Sequence, residues 1–123
     1  AGASFVPTWA FLDHVGALIV SLFILHAAWV IVKPAAGQLV DVGAPKQDRN
    51  EIEAIALETP GVSRIHAVRT RFVGSGLQVD LHILVDGGLS VREGHDIAGA
   101  VKRRLKSYGP NVLDVVVHVE PDT

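Results

Sequence analysis

Six histidines and no cysteine bound the chemistry open to this chain of 123 residues. Without thiols there is no disulfide framework, no thiolate zinc finger and no cysteine nucleophile. Transition-metal ligation must then rest on imidazole and carboxylate. Four of the histidines, His66, His82, His95 and His118, lie in the more polar C-terminal part. His82 interrupts an alternating run, so it shares a face with Asp80 and Leu84 and opposes Val79, Leu81 and Ile83. The same alternation puts His66 on the face of Val68 and Thr70. His118 and Glu120 stand two apart near the chain end and project to one side of a strand. His95 comes four residues after Val91 and borders a helical apolar stripe. Imidazole nitrogen and carboxylate oxygen suit zinc and related divalent ions, at donor distances of about 2.0–2.2 Å. No tight ligand pair such as HExxH is present. A solitary strand histidine is commonly a solvated or hydrogen-bonded residue, so the pattern leaves both a metal site and ordinary surface histidines open.

Other chemistries find less support. Lys and Arg total 11 against 13 Asp and Glu, a net charge of −2. A phosphate-gripping nucleic-acid binder would show a basic excess. Gly74-Ser75-Gly76 reads as a hairpin turn and not as a phosphate loop. Four histidines and a carboxylate could in principle form a hydrolytic zinc centre with an open position, and nothing else points to an enzyme.

The elements that must position these residues divide into two kinds. His14–Val32 is an uncharged run of 19 residues. As a helix it spans about 28 Å, close to the hydrocarbon thickness of a bilayer. Trp9 and Asp13 flank one end and Lys33 the other. A secretory signal peptide would want basic residues before the run, and none occur. The buried helix of a soluble protein is the remaining alternative, though all-round apolar helices are uncommon in small domains. The segment before Asp13 has no Lys or Arg, whereas Lys33, Lys46 and Arg49 follow closely. The positive-inside tendency therefore places the C-terminal part in the cytoplasm. The chain contains no Met, and the expectation is a C-terminal piece of a longer protein.

The organisation expected is a loop over 1–12, a transmembrane helix and linker over 13–42, and a folded domain over 43–123. Ile52, Ile55 and Ala56 mark a short amphipathic helix, stopped at Thr59-Pro60-Gly61. Val62–Phe72 and Leu77–Val85 read as strands. Ser90 with Glu93 forms a capping-box signature, and an apolar stripe follows it to about Tyr108. Gly109-Pro110-Asn111 breaks that helix before a last strand over Val112–Val119. The order α-β-β-α-β implies an α+β, ferredoxin-like domain, three strands covered by two helices. A core this small leaves room for stabilisation by dimerisation or bound metal.

PGVSRIHAVRTR over 60–71, VDLHILVD over 79–86 and VVVHVEP over 115–121 occur in that order, after an apolar helix opening in Leu-Asp and a helix ending in QLVD. The arrangement resembles the last transmembrane helix and cytoplasmic domain of the cation diffusion facilitators, the zinc and divalent-metal efflux transporters, across residues 13 to 121. The resemblance implies a homodimer of six-helix protomers in the cell (inner) membrane, exchanging a divalent cation for protons. Its transport site would lie on earlier helices that this chain lacks. It further implies that the cytoplasmic domain binds metal, with His66, His82, His95, His118 and Glu120 as ligands and Zn²⁺ or another divalent ion as cargo and regulator. Glu120 stands where Asp is common, and its arm is one methylene longer. Asp41 matches an acidic residue of a charge network at the membrane exit.

On this reading, cations bound between two acidic domains lower their mutual repulsion and bias the membrane part. A membrane-anchored metal-sensing or ligand-binding domain without transport activity is the second reading.

Overall fold

The structure is a computed structural model that describes residues 7–40 and 42–123. It separates into two units, residues 1–37 and 38–123. The first unit is occupied by one long helix, α1 (Pro7–Leu39), which starts before the uncharged run and continues through Pro34. Pro34 removes one backbone donor from the helix without ending it. The part over Phe11–Leu39 has a mean hydropathy of 2.5 and is long and apolar enough to cross a membrane.

The second unit is α+β. Its elements are α2 (Lys46–Leu57), β1 (Arg64–Val73), β2 (Gly76–Asp86), α3 (Val91–Tyr108) and β3 (Val112–Asp122). The sheet order is β1-β2-β3. β1 and β2 form an antiparallel hairpin, and β2 pairs with β3 in parallel through the α3 crossover. This is the α-β-β-α-β order expected from the sequence, with both helices packed on one face of the sheet.

β2 decides which face that is. Leu77, Val79, Leu81, Ile83 and Val85 are buried, while Gln78, Asp80, His82 and Leu84 remain half-exposed on the other side. The buried row meets Ile52 and Ala56 of α2, Val101 and Leu105 of α3, and Val115 of β3. Removal of this apolar area from water is the main force holding the domain together. The Ser90 hydroxyl accepts from Glu93 N, and the Glu93 carboxylate accepts from Ser90 N, so the capping box is fully formed. The box fixes where α3 leaves the β2–α3 loop.

One expectation fails in β1. His66 does not share a face with Val68 and Thr70. The register shifts between His66 and Arg69, where one extra residue is inserted in β1 relative to β2. Ala67 takes a φ of 52°, a left-handed conformation unusual for alanine. The bulge inverts the alternation. Val68 and Phe72 pack toward the core, and His66 is left opposite His82 on the open face.

Candidate metal centre

The site is built from the strand register. His66 pairs with His82 across β1 and β2, and His82 pairs with His118 across β2 and β3. Three imidazoles therefore form a row across the open face of the sheet. The His66 and His82 rings meet edge-on with centroids 5.1 Å apart, and His82 and His118 stack at 4.5 Å. Glu120 lies one pleat further along β3, beside Leu84. Its longer arm reaches back diagonally. One carboxylate oxygen is 2.9 Å from His66 Nε2, and the other is 2.6 Å from His82 Nδ1.

Each ring nitrogen can hold a proton for Glu120 or offer a lone pair to a cation, but not both at once. Donor atoms of His66, His82 and Glu120 lie within 4.8 Å of one another, a spacing at which they could hold one metal ion. His66 is exposed, and His82 and Glu120 are half-buried, so the cluster is open to solvent. Two nitrogens and an oxygen make an incomplete set for zinc, which takes four ligands. His118 stacks on His82 and lies outside the three-donor group.

Hydrogen bonds from His82 and His66 hold the Glu120 carboxyl below its usual range, against a smaller opposing effect of desolvation. A second pairing braces the same end of the sheet. Ser63 Oγ donates to Asp122 at 2.6 Å, and the Arg64 guanidinium pairs with the same carboxylate. Asp122 is lowered chiefly by its hydrogen bond from Arg64. Both carboxylates bind protons more weakly folded than unfolded. Their contribution is therefore present above the unfolded values and lost as pH falls through the folded ones, below about pH 4. Urea denaturation across pH 7 to 3 should show stability falling on the acid side. Glu120→Gln should make that fall shallower by lowering stability at neutral pH, and should leave stability near pH 3 little changed.

His95 is not brought to the cluster. It lies on α3, exposed, in the helical layer that covers the other face of the sheet. There it helps line a groove of about 390 Å³ together with Val91, Val119, Glu120 and Pro121. Asp41 lies outside the described residues. The Arg64–Asp122–Ser63 brace escaped sequence reasoning. Its one sequence signal was Asp122 two residues beyond Glu120, on the same strand face.

Comparison with known proteins agrees with this architecture. The family model for the cation efflux protein, cytoplasmic domain, matches residues 44–122. Metal tolerance protein C1 of Arabidopsis thaliana is 34% identical over 111 residues, covering 90% of this chain and 24% of that protein. Manganese efflux system protein MneS of Bacillus subtilis (strain 168) is 34% identical over 113 residues, covering 91% of this chain and 38% of that protein. The chain thus spans between about a quarter and two-fifths of the length of these relatives. Among solved structures, a variant of MamM CTD superposes with a TM-score of 0.61 at 27% identity. That match covers 63% of this chain and 98% of the other. A nickel form of another MamM CTD variant gives 0.62 at 25% identity, over 64% of this chain and all of the other.

Proposed function

The chain belongs to the cation efflux proteins, whose cytoplasmic domain it carries over residues 44–122, and from that premise we propose that it is the C-terminal part of a dimeric divalent-cation efflux transporter. In this reading α1 is the last membrane span, and the domain after it lies in the cytoplasm. The apolar length of Phe11–Leu39 supports the first point. Lys33, Lys46 and Arg49 after the run support the second. Cation export would be driven by exchange for protons, with Asp41 joining a charge network where the path leaves the membrane.

The observation that carries a regulatory role is the convergence of His66, His82 and Glu120 from three different strands. In the cytoplasmic domain these three would hold a divalent ion that accepts imidazole nitrogen and carboxylate oxygen, zinc among them, with His118 or water completing the set. A bound cation would neutralise Glu120 and relieve repulsion between two copies of a chain with net charge −2. His95 faces solvent from the helical layer. It is the donor that a second copy could offer. A metal that favours the paired arrangement shifts the population toward it, and that shift would reach the membrane part.

Zinc titration of the full chain in detergent, by calorimetry at pH 8, 6.5 and 5, tests the ligand set. Protons compete with a metal ion for imidazole lone pairs. Affinity should fall at least tenfold between pH 8 and pH 5, and the molecular mass should shift toward a dimer as zinc is added. Flat affinity across that range would exclude histidine ligation.

A further inference from the structure

The end of the sheet remote from the histidines carries a different set of side chains. There Val73 pairs with Gly76, and Leu77 pairs with Val112. The loop after Tyr108 is bonded to the β1–β2 turn: the Asn111 side-chain amide donates to the Ser75 carbonyl, and Leu77 N donates to the Asn111 carbonyl at 2.8 Å. The same turn is held by Gln38, whose Nε2 donates to the Gly74 carbonyl at 3.1 Å. Gln38 follows Lys33, which closes the apolar run, by five residues. Chain length alone therefore keeps this turn within about 18 Å of backbone from Lys33, plus the reach of one side chain.

Three apolar side chains are exposed around the turn: Val73 at 48%, Leu113 at 49% and Tyr108 at 69%. Beside them Arg71 and Lys106 face solvent. Arg71 donates to the neutral Gln78 side chain at 3.0 Å, and Asp80, one pleat further along the same face of β2, pairs in register with Arg69. Asp114 is held by Lys102 at 2.7 Å, and Arg69, Arg71, Lys102 and Lys106 outnumber the acids Asp80 and Asp114 toward this end. The opposite end of the sheet instead gathers Asp86, Glu120 and Asp122. Charge and apolarity are thus segregated along the strands, with the cationic, aromatic end on the short tether.

We propose that this end is a docking surface for anionic membrane lipid, with Tyr108, Val73 and Leu113 entering the interfacial zone and Arg71 and Lys106 meeting lipid phosphates. The proposal rests on the reading of α1 as a membrane span. Tyrosine favours the headgroup level, where its ring is half in apolar surroundings and its hydroxyl is wet. Each basic residue at an anionic surface shifts the docking equilibrium about fivefold. The attraction is shared by any anionic lipid and fades with salt.

The absence of cysteine lets a single introduced thiol be labelled uniquely. The full chain is placed in nanodiscs, and a fluorophore is attached at Ser107→Cys, at Thr123→Cys or at Leu25→Cys. Nitroxide-headgroup lipid should quench the Ser107 label about twofold more with about 30% phosphatidylglycerol than with phosphatidylcholine alone, as expected for surface charges near an anionic leaflet. About 0.5 M NaCl should remove that difference by screening. Arg71→Glu with Lys106→Glu should remove it at low salt, and the Thr123 label should be indifferent to lipid throughout. Equal quenching of the Ser107 label in both lipids, or equal quenching at Ser107 and Thr123, overturns the proposal. The Leu25 label separates the two layers of the argument. If acyl-chain bromines fail to quench it, the membrane span and the docking surface both fall. If they quench it while Ser107 ignores lipid charge, only the docking surface does.

Discussion

His82→Ala should lower the zinc affinity of the chain by about a hundredfold or more, the largest effect expected from any single change at the site. Loss of an outer-shell partner alone costs about 10–100-fold in known metal sites, and loss of a donor should exceed that. His82 is also the geometric centre of the cluster. It is the middle member of the imidazole row, it meets the His66 ring on one side, and it stacks on His118 on the other. Its Nδ1 lies 2.6 Å from Glu120 and so fixes where that carboxylate points. Removing it deletes one donor and frees two others from their present orientation. His118→Ala removes a stacking neighbour that lies outside the three-donor group, so its cost should be about tenfold smaller. Fold damage is not an alternative explanation. His82 sits on the open face, and Leu81 and Ile83 beside it keep the buried face intact. Calorimetric titration with zinc at pH 8 reads the affinity, and far-UV circular dichroism reads the fold. Equal losses at His82 and His118 would mean that the present geometry does not define the ligand set.

How the site could be foreseen, and where foresight stopped, follows from the kind of signal each residue carries. β2 was legible because strict alternation at Val79, Leu81, Ile83 and Val85 has a period of two, and His82 falls on the off-beat. The start of α3 was legible because Ser90 and Glu93 are two halves of one reciprocal hydrogen-bond pattern. The face of His66 was not. The alternation rule assumes an unbroken pleat, and the bulge at Ala67 has no marker such as glycine to betray it. One residue of slip moves every later side chain to the other face. Here that slip makes the site, since without it His66 would turn toward the helices. Glu120 was placed on one strand face with His118, but its diagonal reach toward His66 and His82 depends on the parallel register of β2 and β3, which lies beyond local pattern. α1 runs past Pro34 to Leu39, into the stretch that ends in QLVD.

Leu81→Ala should destabilise the cytoplasmic domain by about 3–4 kcal/mol, within the range measured for leucine truncation in well-packed cores. Leu81 is fully buried on the central strand. It pairs with Val117 and belongs to the same buried cluster as Val101 and Ile52, so no neighbour can swing into the space without leaving its own contacts. In a domain this small such a loss corresponds to about 15–25 °C in melting temperature. The position ties the core to the site, because Leu81 precedes His82 and both are carried by one stretch of β2. If the histidine row exists only in the folded domain, zinc should bind the folded state and pull the variant back. At one hundred times its dissociation constant a ligand adds about 2.7 kcal/mol, which offsets most of the damage. Melting followed by near-UV circular dichroism, with and without zinc, should therefore show Leu81→Ala regaining more than half of its lost melting temperature. The double variant Leu81→Ala, His82→Ala should regain almost none. Equal recovery in both would mean that zinc acts elsewhere on the chain, and that the three donors now facing one another across the sheet are not where it binds.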